Sequence, residues 1–203
     1  NDIINSSGWS NFLAKAVFVT LFGFGNRTGI DLPGEKKGII PTREYMNKKY
    51  TSRGWGKGSL LNFVIGQGDV LATPQQVVQF MNHIATKGNA VLPHLNLDLE
   101  LINDKIILKE NTWNFLQESI YAVVNEQDGT GKNAQIDNGI VRGKTGTAQN
   151  PHGEDHSWFS GYVTLPNKKQ MSLAIIVENG GKGSNIPSIM ARNIFNFIIE
   201  NDV

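Results

Sequence analysis

Three strand-like segments follow one another closely in the last third of the chain. They are GIVRGKTGTAQ, SWFSGYVTL and QMSLAIIVE, and the third alternates apolar and polar positions as a half-buried strand does. The PNKK segment between the second and third is short enough to join them as antiparallel neighbours. The sequence therefore predicts an antiparallel sheet near the end of the chain.

Helices are predicted before and after these three strands in the sequence. Thr73, Pro74 and Gln76 form a capping box, which begins a helix that ends at Gly88. A second amphipathic helix runs from about Asn111 to Glu126. A third begins between Ser184 and Pro187. We expect the following side chains to face inward: Val77, Val78, Met81, Ile84 and Ala85; then Trp113, Leu116, Ile120 and Val123; then Ile186, Met190, Ile194, Phe197 and Ile198.

The first half of the chain has weaker signals. Residues 11–22 are apolar on most faces and precede Gly23, which predicts a buried helix with a glycine C-cap. Residues 23–68 are dense in glycine and proline, which favours a long ordered loop with few regular elements. Alternating leucines at 95–101 predict a hairpin that turns near Asn103-Asp104. The whole pattern is typical of an α+β fold with helices packed on an antiparallel sheet, in one domain of 203 residues.

Composition excludes several classes of function. The net charge is +1 and the basic residues are scattered, so a nucleic-acid surface is not expected. The absence of cysteine rules out thiolate catalysis and zinc–sulfur sites. No apolar run approaches the roughly 18 residues of a membrane span, and no signal-peptide pattern begins the chain. Any targeting segment is therefore expected outside these residues.

Lys144 lies between glycines inside the first strand, and three interpretations compete for it. A Walker phosphate loop needs a glycine at position 138, which is Asn138, and a helix where the pattern here is a strand. A second interpretation treats the glycines as a bulge and Lys144 as a solvated edge charge. In the third, the strand borders a ligand cleft, and Gly146 leaves room for a peptide to lie beside the backbone.

The third interpretation assigns a role to each residue of Lys144-Thr145-Gly146-Thr147. Lys144 would supply a positive charge for a substrate carboxylate, and the hydroxyls of Thr145 and Thr147 would donate to it. The Thr147 N–H would help to bind an oxyanion. Lys-Thr-Gly is also among the signatures of penicillin-binding proteins and serine β-lactamases.

Two further segments strengthen that association: FGFGNRTGIDLPGEKKGIIPT at 22–42, and IGQGDVLATPQQVVQFMNHIATKGNAVLPH at 65–94. Together with GKTGTAQN they resemble the C-terminal half of the transpeptidase domain of class B penicillin-binding proteins, the elongation-specific type. The continuation GTAQNPHGEDHSWF is most similar to versions from Bacteroidetes. The resemblance implies a β-lactamase/transpeptidase-like fold, with Lys-Thr-Gly on the edge strand of the sheet.

The resemblance also implies a reaction. A serine attacks the penultimate D-alanine carbonyl of a peptidoglycan stem peptide, forms an acyl-enzyme and passes the acyl group to an amine of a second strand. β-Lactam antibiotics would acylate the same serine. No cofactor is implied. The parent protein is expected at the periplasmic face of the cytoplasmic membrane, anchored by an N-terminal segment, with a glycan-polymerising membrane partner.

The sequence departs from the family at its nucleophile. Neither Ser-x-x-Lys nor Ser-x-Asn occurs in the chain, and in the family both motifs precede the FGFG segment. Residues 1–203 are therefore expected to be the C-terminal part of one transpeptidase domain, inert without the upstream part. Two alternatives remain: a β-lactam-hydrolysing or β-lactam-sensing relative of the same fold, and a non-catalytic module that binds peptides or partners along the Lys144 edge.

A cluster of polar residues follows the Lys-Thr-Gly strand: His152, Glu154, Asp155 and His156. The histidine spacing permits a metal, but side chains in such a loop more often bond to turn backbone, so no metal site is assigned. Asp155 and His156 are close enough in sequence to the strand to be candidates for shaping substrate access.

Overall fold

The computed structural model describes residues 16–51, 54–181 and 185–201. The chain divides into two compact units, Asn1–Gln76 with Pro93–Leu97, and Val77–Leu92 with Asp98–Val203. Each is described by itself below. The assignment of residues 1–203 to one domain stays a prediction.

In the first unit, residues 16–21 are helical and Gly23 follows with a φ of +86°, so the predicted glycine C-cap is confirmed. The predicted burial is wrong for the described part of this helix, because Val17 is 68% exposed and Leu21 is 49% exposed. Residues 11–15 lie outside the described residues. Phe22, just after the helix, is buried.

The glycine-rich segment contains two helices that the sequence prediction missed. Helix α1 spans Arg43–Lys49 and begins where Thr42 Oγ1 accepts a hydrogen bond from the Tyr45 N–H at 3.1 Å. Helix α2 spans Lys57–Val64 and has no side-chain cap. Both are short, so neither repeats its apolar pattern often enough to stand out among the surrounding glycines.

Helix α3 spans Pro74–Ala85, and its predicted capping box is confirmed. The Gln76 N–H donates to Thr73 Oγ1 at 3.2 Å, and the Thr73 N–H donates to Gln76 Oε1 at 2.9 Å. At the other end Gly88 has a φ of +85°, and a Cβ there would lie 2.1 Å from the Ile106 carbonyl oxygen. Only glycine fits that position.

The second unit begins with the C-terminal part of α3 and a short antiparallel pair, β1 (Asn89–Val91) and β2 (Asn103–Lys105). The predicted hairpin is wrong in position. Asn103 and Asp104 lie within β2 rather than at a turn, and the alternating leucines belong to the connection between the strands. Leu97 in this connection is 90% exposed, so the alternation does not mark a buried face.

Helix α4 (Glu110–Asn125) and a 3-10 turn (Lys132–Ala134) lead into the predicted sheet. Its strands are β3 (Ile140–Ala148), β4 (His156–Thr164) and β5 (Gln170–Val177), antiparallel and in the order β3-β4-β5. Helix α5 (Ile186–Glu200) closes the unit. The predicted α+β fold and all three strands are therefore confirmed. The core between sheet and helices is formed by Val124, Ala134, Val141, Phe159, Val163, Ile175, Ala191 and Phe195.

Helix α5 packs with a different face from the predicted one. Its buried residues are Pro187, Ser188, Ala191 and Phe195. Four of the five predicted inward residues are 40–61% exposed: Ile186, Met190, Ile194 and Phe197. The helix is apolar around most of its circumference, so periodicity alone could not choose the buried side. Two of these buried residues, Ser188 and Ala191, are small, and Ala191 belongs to the core cluster that includes strand residues Val141, Phe159 and Ile175.

Candidate active site

Strand β3 is an edge strand among the described residues, because β4 is its only neighbour in the sheet. Two of its carbonyl oxygens accept from side chains. Asn125 Nδ2 donates to Val141 O at 2.8 Å, and Lys144 Nζ donates to Thr145 O at 2.7 Å. In an antiparallel strand the N–H and C=O of a residue point to the same side, and every second residue repeats that direction. The N–H of Thr147, predicted to bind an oxyanion, therefore points to the open edge.

Side chains of the Lys-Thr-Gly segment alternate between the two faces of the sheet. Lys144 and Gly146 share one face, and Thr145 and Thr147 share the other. Lys144 is exposed, and its ammonium reaches the open edge, where it contacts the Thr145 carbonyl. Thr145 Oγ1 lies 2.8 Å from Thr130 Oγ1. The edge thus brings together an ammonium, a hydroxyl pair and outward-facing main-chain groups.

Gly143 and Gly146 of this strand lie in different surroundings. A Cβ on Gly143 would lie 2.5 Å from the ring of Phe159, so this glycine makes room for a core side chain. A Cβ on Gly146 would contact only the Trp158 side chain, apart from its neighbours in the chain, and the nearest atom would be 3.3 Å away. Pairing with β4 is continuous from one end of β3 to the other. The bulge interpretation is therefore wrong.

The arrangement of an edge strand carrying Lys-Thr-Gly has a counterpart in a known family. Residues 16–200 match the family described as the penicillin-binding protein transpeptidase domain. This chain belongs to that family. The predicted β-lactamase/transpeptidase-like fold is confirmed by the solved structures described below, and the finer similarity to Bacteroidetes versions stays a prediction.

Several relatives of the transpeptidase family are similar over most of the chain. The peptidoglycan D,D-transpeptidase MrdA of Haemophilus influenzae is 35% identical over 205 residues, covering 88% of this chain and 31% of that protein. MrdA of Escherichia coli K12 is 28% identical, covering 89% of this chain and 32% of that protein. The chain thus spans about a third of the length of these curated relatives.

Solved structures of penicillin-binding proteins share the fold. PBP2 of Helicobacter pylori, solved in complex with MreC, superposes with a TM-score of 0.83 at 29% identity, over 94% of this chain and 36% of that one. PBP2 of Pseudomonas aeruginosa, in complex with WCK 5153, gives a TM-score of 0.77 at 28% identity, over 91% of this chain and 42% of that one.

Two of the polar side chains predicted for the loop after β3 bond to main chain, although the structure places His156 outside that loop, as the first residue of β4. His156 Nδ1 accepts from the Asn179 N–H at 3.0 Å, and Asp155 Oδ1 accepts from the Asn150 N–H at 3.3 Å. The His152 N–H donates to Asn150 Oδ1 at 3.0 Å. The interpretation that these side chains bond to turn backbone is confirmed for Asp155 and His156. Their role in substrate access stays a prediction.

Sequence reasoning missed Thr130 as a member of the site. Thr130 lies in the turn between α4 and the 3-10 helix, fifteen residues before Thr145. The signal was Gly129-Thr130-Gly131, a threonine held between two glycines just before the strand that carries the motif. The tripeptide alone does not indicate that Thr130 contacts Thr145, because this contact depends on how α4 packs against β3.

Proposed function

We propose that the chain is the C-terminal part of a serine D,D-transpeptidase domain whose parent protein cross-links peptidoglycan stem peptides and is acylated by β-lactams. The observation that carries this proposal is the open edge of β3, where the Lys144 ammonium and outward main-chain groups lie together. A stem peptide would lie along this edge as an added strand.

Each residue of the motif has a role in this proposal. Lys144 attracts the carboxylate of the stem peptide, and the hydroxyls of Thr145 and Thr147 donate to it. The N–H of Thr147 stabilises the oxyanion that forms when the serine oxygen adds to the D-alanine carbonyl. Collapse of that adduct releases the terminal D-alanine and leaves an acyl-enzyme. An amine from a second strand then displaces the serine oxygen and completes the cross-link.

The nucleophile belongs to the upstream part of the domain in this proposal. The chain contains no Ser-x-x-Lys, so Lys144 alone has no serine to assist and the isolated chain is inert. Within the described residues no helix is both long and apolar enough to span a bilayer. The proposed location, the periplasmic face of the cytoplasmic membrane, and the proposed anchor both rest on the family resemblance.

Two kinds of protein partner are proposed for the parent protein. One is the glycan-polymerising membrane protein that the resemblance implies. The other follows from the Helicobacter pylori relative, whose PBP2 forms a complex with MreC. Similarity to that structure over 94% of this chain supports a comparable assembly for the parent protein.

Labelling with a fluorescent penicillin tests the proposal. The chain and the full-length protein are incubated with the probe and examined by denaturing gel and mass spectrometry. We expect a covalent adduct on the full-length protein and none on the chain. An adduct on the chain would contradict the assigned position of the nucleophile. No adduct on either protein would favour the non-catalytic binding module, and rapid release of the adduct by water would favour a β-lactam-hydrolysing relative.

A charge variant tests the motif itself in the full-length protein. Lys144→Ala removes the proposed carboxylate partner and should slow acylation about 10- to 100-fold. Lys105→Ala is the matched control, because Lys105 is also an exposed strand lysine but lies in β2. Equal acylation rates for the two variants would remove Lys144 from the site.

A further inference from the structure

Thr130 and Thr145 form a hydroxyl pair at the open edge of β3. Their oxygen atoms lie 2.8 Å apart, which is hydrogen-bond distance for two hydroxyls. Thr130 is exposed and Thr145 is half-buried. Thr145 is the middle residue of the Lys-Thr-Gly motif, so Thr130 contacts the proposed carboxylate site without belonging to the motif.

The turn that carries Thr130 is fixed by its main chain. The Gly131 N–H donates to the Val123 carbonyl oxygen at 2.8 Å, which ties the turn to the end of α4. A Cβ on Gly129 would lie 2.4 Å from the same oxygen, so position 129 must be glycine for this approach. Lys132 Nζ adds a hydrogen bond to the Gln127 carbonyl at 3.1 Å. The position of Thr130 therefore does not depend on its own hydroxyl.

A hydroxyl has a single hydrogen, so the direction of this bond decides what Thr145 can offer a ligand. If Thr145 donated to Thr130, its hydrogen would be used within the protein. If Thr130 donates, Thr145 keeps its hydrogen for an acceptor, and the two bonds polarise each other. A carboxylate at the edge is a strong acceptor and favours the second arrangement.

We propose that Thr130 is a positioning residue for carboxylate recognition: it donates to Thr145 Oγ1 and so directs the Thr145 hydrogen toward the ligand carboxylate. This inference rests on the proposed function, because it assigns Thr130 a part in the binding of the same ligand. It adds a residue outside the Lys-Thr-Gly motif to the recognition of that carboxylate.

The test compares acylation of full-length variants by a penicillin with a free carboxylate and by its methyl ester. Thr130→Val removes the hydroxyl with little change in shape and should slow acylation by the acid about three- to tenfold. The ester should show no such difference between wild type and variant. Thr130→Ser keeps the hydroxyl and should restore the wild-type rate. A structural defect would slow both compounds alike.

Thr86→Val is the matched control for the loss of a threonine hydroxyl. Thr86 is exposed and its hydroxyl donates to the Asn82 carbonyl at 2.7 Å, on helix α3 rather than at the edge of β3. This variant should acylate at the wild-type rate with both compounds. The Tm of Thr130→Val should fall no further than that of Thr86→Val. This result would show that the turn carrying Thr130 keeps its fold.

A double variant tests whether Thr130 acts through Thr145. Thr145→Val alone should slow acylation by the acid, and adding Thr130→Val should cause no further loss. If the two variants slow acylation by factors that multiply in the double variant, Thr130 does not act through Thr145 and the proposal is overturned. A Thr130→Val acylation rate equal to wild type would overturn it as well. If wild type acylates normally, such a result leaves the proposed function standing. A wild-type protein that takes no label overturns both.

Discussion

The three-stranded sheet and the glycine-rich segment, residues 23–68, are ordered by different means. In the sheet, β4 pairs along its length with β3 on one side and with β5 on the other, so main-chain bonds repeat at every second residue. Among its described residues, the glycine-rich segment takes part in one isolated β-bridge, which pairs Ile39 with Leu71. Outside helices α1 and α2, side chains that bond to main chain hold parts of this segment in place.

Two side chains show how this second kind of order works. Gln76 is 1% exposed, and its Nε2 donates to Asn26 O at 2.7 Å and to Lys37 O at 2.9 Å. The Glu35 carboxylate accepts from the N–H and hydroxyl of Thr28, each at 2.6 Å. The loop main chain would otherwise have unpaired carbonyls in a buried place. The strand ladder distributes its stability over many similar main-chain hydrogen bonds, whereas the non-helical part of this segment also relies on a few amide and carboxylate side chains.

The largest effect should come from a single methyl group in the sheet. A Cβ on Gly161 would lie 2.3 Å from Arg142 O and 2.8 Å from Gly143 Cα, so Gly161→Ala forces the main chains of β3 and β4 apart. We expect a loss of more than about 3 kcal/mol in the free energy of unfolding. Urea denaturation of the purified protein measures it.

Gly58→Ala is the control for a glycine in the other region. Gly58 lies within helix α2, and a Cβ there would meet nothing within 4 Å. Alanine has the better helix propensity, so this variant should be unchanged or more stable by up to about 1 kcal/mol. Similar urea midpoints for Gly161→Ala and wild type would show that the strand ladder tolerates the added methyl group.

A smaller but still large effect should follow from one amide in the glycine-rich segment. Gln76→Leu keeps the side-chain volume but leaves the carbonyls of Asn26 and Lys37 without their donor. We expect a loss of about 2 to 3 kcal/mol. Hydrogen exchange should accelerate at residues 23–38, while the ladder between β3 and β4 keeps its protection.

Gln75→Leu is the neighbouring control for this prediction. Gln75 is half-buried on the same turn of α3. Replacing it makes the same chemical change one residue away, so stability should stay within about 0.5 kcal/mol. If both glutamine variants lose the same stability, the network around Gln76 is not what orders the segment.

These contrasts explain which features the sequence could predict. The strands and the capping box are local patterns, so alternation and spacing found them. The bonds of Gln76 join residues up to 53 positions apart and leave no periodic signal. The site divides in the same way: Lys144 and its neighbours form a contiguous motif, whereas Thr130 reaches Thr145 only through packing. The exposed face of α5 was mispredicted because an apolar pattern does not reveal which side has a partner.

The smallest predicted effect concerns His83, a buried polar side chain that, unlike Gln76, can take up a proton. His83 is fully buried, and its Nε2 lies 3.1 Å from Asp104 Oδ2. Burial lowers the pKa of His83 from its usual 6.5, although the Asp104 carboxylate opposes this change. The folded protein therefore holds His83 neutral at pH values where the unfolded chain binds a proton.

Because the unfolded state binds more protons below pH 6.5, the free energy of unfolding should decrease as the pH falls through that value, by at most about 1.4 kcal/mol per pH unit. Urea denaturation between about pH 7.5 and about pH 5.5 measures the slope. His83→Gln should remove this part of the slope, and His152→Gln, at an exposed loop position, should keep it. A His83→Gln slope equal to wild type would mean that His83 does not titrate differently on folding. A slope of opposite sign would mean that the attraction of Asp104 outweighs burial, so that this polar group behaves as half of an ion pair and not as a buried hydrogen-bonding group of the Gln76 kind.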